Sequence, residues 1–271
     1  MKISVVITAY DRTDFLLSAL ASAINASKLY DAEYEYVVAL NYDNAAIDNV
    51  LARIPEVIRV RVPDVTPLGY ELAMAVRKAT GDIICFLDDD DRFQPNKFKV
   101  IGEYFIKHPE VTYIRNDTLI YWESEKMLGL HNWQAYSGTF YTKDIRETIT
   151  DTVNEAYMCN LSAISVNRQY YSKYIDALES ITTIPDEFTF YTMLNEDTSI
   201  AFLPERLTIY RNHASLATPE DIAKWFIDVQ KSIDTLKSLL KYFTSPEMQR
   251  ILTIRINEYE DRIKAMRART N

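Results

Sequence analysis

The sequence predicts an α/β protein: a Rossmann-like, mostly parallel sheet with an α-helical extension at its C-terminal end. Three observations carry this prediction. Strand-length apolar runs alternate with segments whose apolar residues recur at helical spacing. One run, Ile83-Ile84-Cys85-Phe86-Leu87, is apolar throughout, as a strand covered on both faces must be, and it leads directly into Asp88-Asp89-Asp90-Asp91. From residue 218 onward the pattern changes to two long amphipathic helices.

Composition narrows the classes. A chain of 271 residues with 48% apolar content can bury a sizeable core as one large domain or one domain with an appendage. Its 39 acidic against 30 basic residues, a net charge of −9, exclude a generic binder of nucleic-acid phosphates. Two cysteines, Cys85 and Cys159, form neither a disulfide framework nor a zinc-spaced set, which fits a reducing, cytoplasmic setting. The apolar start, residues 3–8, is too short to span a membrane and lacks a signal cleavage pattern. A soluble protein is expected, with peripheral membrane contact left open.

Taken in order, residues 3–8 read as the first strand, and Leu16, Leu17, Leu20, Ala23 and Ile24 as the helix after it. Residues 34–40 and 57–62 are the second and third strands, residues 70–79 a helix, and residues 83–88 the fourth strand. Right-handed crossovers gather the loops at one edge, so Tyr10, Asp11, Asn41, Asp43 and Asp88 share one crevice. A helix begins near Pro95 and runs to about Lys107. Residues 111–116 form another strand, and residues 118–142, including His131-Asn132-Trp133, look hairpin-like. Loops of this kind shape a second substrate's site about as often as they are structural. A strand over 160–166 and a helix over 168–178 precede Ile184-Pro185-Asp186-Glu187-Phe188. There the proline and two acids mark a helix start favoured by its dipole. Residues 200–203 and 207–210 read as two short strands.

In the tail, Ile222, Phe226, Val229, Ile233, Leu236, Leu240 and Phe243 form one apolar seam; Leu252, Ile256, Tyr259, Ile263 and Met266 form another. Three outcomes are open to such helices: closing on each other as a hairpin, packing on the body, or pairing with a second subunit into a homo-oligomer. The basic residues of the last helix, Arg250, Arg255, Arg262, Lys264, Arg267 and Arg269, read as a solvated face, ahead of a membrane or acidic partner.

Four adjacent aspartates repel one another, so gathering them at a strand end calls for a positive partner. A charge cluster is usually a solvated loop; the buried strand in front of this one reverses the balance. Carboxylate oxygens suit Mg²⁺ or Mn²⁺, and Mg²⁺ is typically held by one or two carboxylates plus substrate phosphates. Alternation along an extended segment places Asp88 and Asp90 on one side as the metal pair and turns Asp89 away. A metal there can neutralise a departing diphosphate. With only five glycines, neither a P-loop nor a dinucleotide fingerprint is available.

At these residues the chain resembles the family 2 glycosyltransferases. Ser4-Val5-Val6-Ile7-Thr8-Ala9-Tyr10-Asp11-Arg12 looks like their opening strand and turn, and residues 80–91 with Pro95 resemble their Asp-x-Asp metal motif. Asp186-Glu187-Phe188 resembles their later acidic pair, and residues 204–213 the segment that follows it. The resemblance covers about residues 3–216 and implies a GT-A fold over 1–216, with 217–271 as a helical extension. It implies an inverting, metal-dependent transfer of a sugar from a nucleotide donor, linked to uridine diphosphate by default, to a carbohydrate or other hydroxyl acceptor. On this reading Thr8, Ala9, Tyr10 and Asp11 line the base and ribose, and Asn41 or Asp43 contacts the base. Asp89 is counted with the donor site. Asp88 touches ribose or metal, Asp90 binds the metal, and His213 approaches the metal or diphosphate or is a structural hydrogen-bonder. The general base is Asp186 or Glu187: register favours Glu187, residue type favours Asp186, and Asp186 is the narrow choice. The usual Arg-Asn is missing, with Arg77 and Lys78 the nearest cations in sequence, and Thr192 or Met193 stands where an arginine usually follows the acidic pair.

The alternative is a catalytically inactive sugar-nucleotide-binding or oligomerisation protein of the same fold. A sugar nucleotidyltransferase would need a Gly-rich basic loop where Ala9-Tyr10-Asp11-Arg12 stands, and a phosphatase would need its aspartate after the first strand.

Overall fold

The computed structural model describes residues 1–10, 13–64, 66–130, 137–212 and 222–270. Strand β1 (Lys2–Ala9) leads to helix α1 (Thr13–Ser27), then β2 (Glu33–Leu40), α2 (Ala45–Leu51), β3 (Val57–Arg61), α3 (Leu68–Lys78) and β4 (Ile83–Asp88). A two-residue strand β5 (Arg92–Phe93) precedes α4 (Lys97–Lys107), β6 (Val111–Trp122), β7 (Met127–Leu130), β8 (Gly138–Tyr141) and α5 (Thr142–Thr148). After two 3-10 turns come β9 (Ile164–Asn167), α6 (Arg168–Tyr171), α7 (Ile175–Glu179), α8 (Pro185–Leu194) and β10 (Ser199–Asn212). The tail forms α9 (Ile222–Leu239) and α10 (Pro246–Thr270).

Among the described residues ten strands join one sheet in the order β3-β2-β1-β4-β9-β6-β10-β5, with β7 added beside β6 and β8 beside β10. The first four are parallel neighbours, and β6 runs parallel to β10; β9 runs antiparallel between β4 and β6. Alternation sorts the strand residues between two cores. Ile3, Val5, Ile7, Ile83, Cys85 and Leu87 face α1, α2 and α4; Val6, Ile84 and Phe86 face α3, α8 and the tail helices. Both faces are apolar because both are covered, which is why β4 carries no polar residue before Asp88.

Besides the strand expected over 160–166, whose first half is a 3-10 turn at Leu161–Ala163 before β9, three expectations need correction. The helix expected over 168–178 is broken: α6 passes through a 3-10 turn at Ser172–Tyr174 into α7. The strands expected at 200–203 and 207–210 are one strand, β10, with register shifts between Leu203 and Thr208 that absorb Pro204 and Glu205. The third is the solvated basic face of the last helix: Arg255 is buried, and Arg250 donates to the backbone carbonyls of Ile149 and Arg146. Within the hairpin-like residues 118–142, β6 runs on to Trp122 and pairs antiparallel with β7; Asn44 caps α2 through the N–H groups of Ala46 and Ile47.

The tail helices contact each other and also join the main core: Val229, Ile233, Leu236, Phe243, Met248, Leu252 and Ile256 belong to the same apolar cluster as Phe86 and Phe188. Hairpin closure and packing on the body therefore occur together. Among the described residues, no helix is long and apolar enough to cross a membrane.

Candidate active site

Parallel pairing brings the ends of β1, β2 and β4 to one edge. Thr8 pairs with Asp88 and Ala9 with Leu40, which places Asn41 beside the turn after β1. Thr8 and Asn41 are buried, whereas Tyr10 is half exposed and the Asp43 side chain lies in open solvent, 3.5 Å from the Arg61 guanidinium. Asp11 and His213 lie outside the described residues, as do His131, Asn132 and Trp133.

Asp88 and Asp90 keep solvent contact while Asp89 and Asp91 are buried. The chain is already turning here: Asp91 N–H donates to the Asp88 carbonyl at 3.1 Å. The inward pair holds the loops together. Asp89 accepts from the Tyr10 N–H at 3.1 Å and Asp91 from the Arg211 N–H at 2.9 Å. Burial raises the Asp88 pKa well above the usual carboxylate range, and Asp91, Asp90, Asp89 and Asp186 raise it further. Burial, then the Asp90 charge, push Asp91 up to about 7. Crowded hard oxygens on two partly exposed carboxylates fit a divalent cation that takes its remaining ligands from a substrate. Among the described residues no set of three or more such side chains is arranged to hold a metal alone.

Asp88 continues the Ile84, Phe86 series and so lies on the sheet face that carries α8. Phe86, Tyr171 and Phe188 stack edge-to-face between them, with centroids 5.4 and 6.3 Å apart. Helix α8 begins abruptly, because Ile184 is in the left-handed region at φ 53° immediately before Pro185. A β-branched residue there is strained by about 1–3 kcal/mol, the kind of distortion that collects at functional sites. The Asp186 carboxylate accepts from the Glu187 N–H at 2.9 Å, and burial, then the Glu187 charge, push its pKa up to about 6. Glu187 points the other way. It is bound by Arg255 through Nη2 at 2.5 Å and Nε at 3.1 Å, and accepts from the Tyr259 hydroxyl at 2.7 Å.

Four further residues belong to the site, and sequence reasoning gave them no role. Asn160 has φ 66°, is buried, and leaves both ends of its amide without a hydrogen bond of good geometry, although it lies close enough to Asp91 to lower that group's pKa. Arg211 donates from Nε to the Asp90 carbonyl at 2.9 Å, stacks 4.5 Å above the Phe15 ring, and with Asp90, Arg92, Tyr121, Leu128 and Ile209 lines a cleft of about 190 Å³. Lys97, fully buried, donates to Asn116, the Ser162 carbonyl and Thr208, and burial pushes its pKa down to about 7. Glu71 accepts from the Ala9 N–H at 3.2 Å, and burial, opposed by that bond and assisted by Asp89, pushes it up to about 8. By contrast, the cation suggested by sequence is elsewhere: Arg77, in the last turn of α3, binds Asp176 and Glu179. Thr192 and Met193 are buried in α8.

With this geometry in place, the family model for glycosyl transferase family 2 matches residues 4–174. The chain belongs to glycosyl transferase family 2. Its match spans the opening strand and the aspartate cluster and ends before Asp186. No curated protein sequence matches the chain. Among solved structures, S. aureus TarS 1-349 in complex with UDP-GlcNAc aligns with a TM-score of 0.65 at 12% identity, covering 89% of this chain and 67% of that one. TarS 1-349 without a named ligand gives 0.60 at 11% identity, covering 96% and 92%. A further S. aureus TarS structure gives 0.64 at 12% identity, and there this chain covers only 40% of the other. At such identities the likeness establishes the fold, a mixed α/β GT-A architecture around a mostly parallel sheet.

Proposed function

We propose that the chain transfers a sugar from a nucleoside diphosphate donor, with uridine diphosphate as the default carrier, to an acceptor hydroxyl with inversion. The observation that carries this reading is the division of labour in the acidic pair. Asp186 retains solvent contact and a pKa near 6, on the sheet face that Asp88 shares, while Glu187 is withdrawn into a network with Arg255 and Tyr259. A base should have a pKa near the working pH and reach the acceptor hydroxyl. Asp186 meets the first condition, and its solvent contact on the face shared with Asp88 supports the second.

On this reading the loop at Thr8, Ala9 and Tyr10, with Asn41, receives the base and ribose, and its shape is held from below by Glu71 and Asp89. Asp88 and Asp90 would hold Mn²⁺ or Mg²⁺, which supplies charge for the departing diphosphate. Arg211 offers a second positive group beside Asp90, a role the Arg77 position does not fill. The Asn160 amide reads a hydroxyl of the sugar or acceptor. Asp186 takes the acceptor proton, the acceptor oxygen bonds to the anomeric carbon, and the bond from that carbon to the phosphate oxygen breaks, its electron pair leaving with the nucleoside diphosphate. The TarS structures with UDP-GlcNAc and UDP support the uridine carrier. A cytoplasmic setting is supported by two cysteines that are both unbridged.

The test is a thermal melt with nucleoside diphosphates, with and without Mn²⁺. A ligand at one hundred times its dissociation constant stabilises the folded chain by about 2.7 kcal/mol. A Mn²⁺-dependent shift with uridine diphosphate followed by turnover of its sugar supports the transferase; a shift without turnover of any sugar nucleotide selects the non-catalytic alternative.

A further inference from the structure

We propose that Arg255 of helix α10 is a positioning residue for the reacting centre, so that the C-terminal helices form part of the catalytic machinery; this rests on the transferase reading above. The Arg255 side chain is 2% exposed, at the meeting point of α10, α8 and the 3-10 turn Glu155–Tyr157. Its fork binds both oxygens of Glu187, and the same Nη2 donates to Glu155 at 3.1 Å. Nη1 donates to Glu258 at 2.8 Å, and the other oxygen of Glu258 accepts from the Val153 N–H at 2.9 Å.

Two of the three carboxylates that Arg255 binds, Glu187 and Glu155, belong to segments carrying a polar group of the site. Glu187 adjoins Asp186 and supplies the N–H that its carboxylate accepts. Glu155 heads the 3-10 turn Glu155–Tyr157 that leads to Asn160: its carbonyl accepts from the Cys159 N–H at 3.0 Å, and the Cys159 carbonyl is held by Arg115 Nε at 3.0 Å. One rigid guanidinium therefore fixes the spacing between the segments bearing Asp186 and Asn160. A planar fork gives such geometry, which a lysine's single charged point does not. Stability alone does not call for the arrangement, since apolar packing of similar volume serves a buried interface as well. The ion network also explains why the acid following Asp186 is the longer glutamate: its carboxylate has to reach α10.

The experiment compares the native full chain with Arg255→Lys, which keeps the charge, and with Glu187→Gln/Arg255→Gln, which removes both charges of the most buried ion pair. Three readouts are taken: amide hydrogen exchange, the dissociation constant of uridine diphosphate with Mn²⁺, and kcat and KM over a panel of uridine diphosphate sugars. In both variants exchange should quicken in residues 153–160 and 184–190 while nucleotide affinity and donor KM stay native. The kcat should fall about 100-fold, as an ångström-scale misplacement of a reacting group does. Native kcat in both variants overturns the proposal, as does exchange that quickens uniformly with a kcat loss matching the unfolded fraction. A native chain that turns over none of the sugars overturns the transferase reading instead, and the exchange data still decide whether Arg255 holds the two segments.

Discussion

Two acidic clusters lie on either side of this site, and the fold treats them in opposite ways. At the end of β4, Asp88, Asp89, Asp90 and Asp91 crowd one another, and burial together with mutual repulsion raises Asp88 and takes Asp91 to about 7. Under α10, Glu155, Glu187 and Glu258 surround one arginine. Burial there would raise Glu155, but hydrogen bonds and charge from Arg262 and Arg255 outweigh it and hold its pKa below normal. On the proposed function the first cluster receives positive charge from outside the chain. The second has its positive charge built in and serves geometry. Asp186 and Glu187, adjacent in sequence, fall one to each cluster.

The largest test of that division is at the acidic pair. Asp186→Asn should lower kcat by about 10²–10⁴-fold while sparing nucleotide binding, the range general-base catalysis supplies. In the native enzyme the base works deprotonated, so with its pKa raised to about 6, kcat should fall as pH drops through that value. A pH profile flat across 5–8 would remove Asp186 from the role. Arg255→Met tests the second cluster: it strands the buried Glu187 and should cost about 3–5 kcal/mol of stability, lowering the melt by about 10 °C. An unchanged melt would mean the network carries no net charge burden.

In the first cluster the sign should reverse. Asp90→Asn removes a repelling charge and should stabilise the ligand-free chain by about 0.5–2 kcal/mol while abolishing the Mn²⁺-dependent nucleotide shift. A destabilised variant would show that the aspartates are not in mutual conflict. The last effect shows only in the pH dependence of stability: Glu71 has a pKa of about 8 in the folded chain, above its usual 4.5. The folded state then holds a proton that the unfolded chain releases, so stability is lost as pH rises between those values. Glu71→Gln should match the native melt near pH 4.5 and exceed it near pH 8.5 by at least about 1.4 kcal/mol, the worth of one pKa unit. Equal melts at both pH values would place the proton elsewhere.

Much of the frame was legible from local pattern. The apolar run ending at Asp88 announced a doubly covered strand, and Pro185-Asp186-Glu187 announced a helix start that α8 confirms. Less was legible where a residue's partner is remote. Arg255 is one of six basic residues in the last helix, and nothing local separates it from the others; its partners Glu187 and Glu155 are 68 and 100 residues away. Asn160 shows no motif either, since a left-handed asparagine with an unbonded amide is visible only once the chain has closed around it.

The sequence by itself therefore determined the strand ends, the face each apolar residue takes, and the concentration of carboxylate at one sheet edge, because alternation and helical periodicity act over a few residues. Tertiary structure alone decided that Asp186 keeps solvent contact while Glu187 is bound by Arg255 and Tyr259, and that the tail completes the core. Those outcomes depend on burial and on charges brought together from distant segments, where a low dielectric makes each neighbour count.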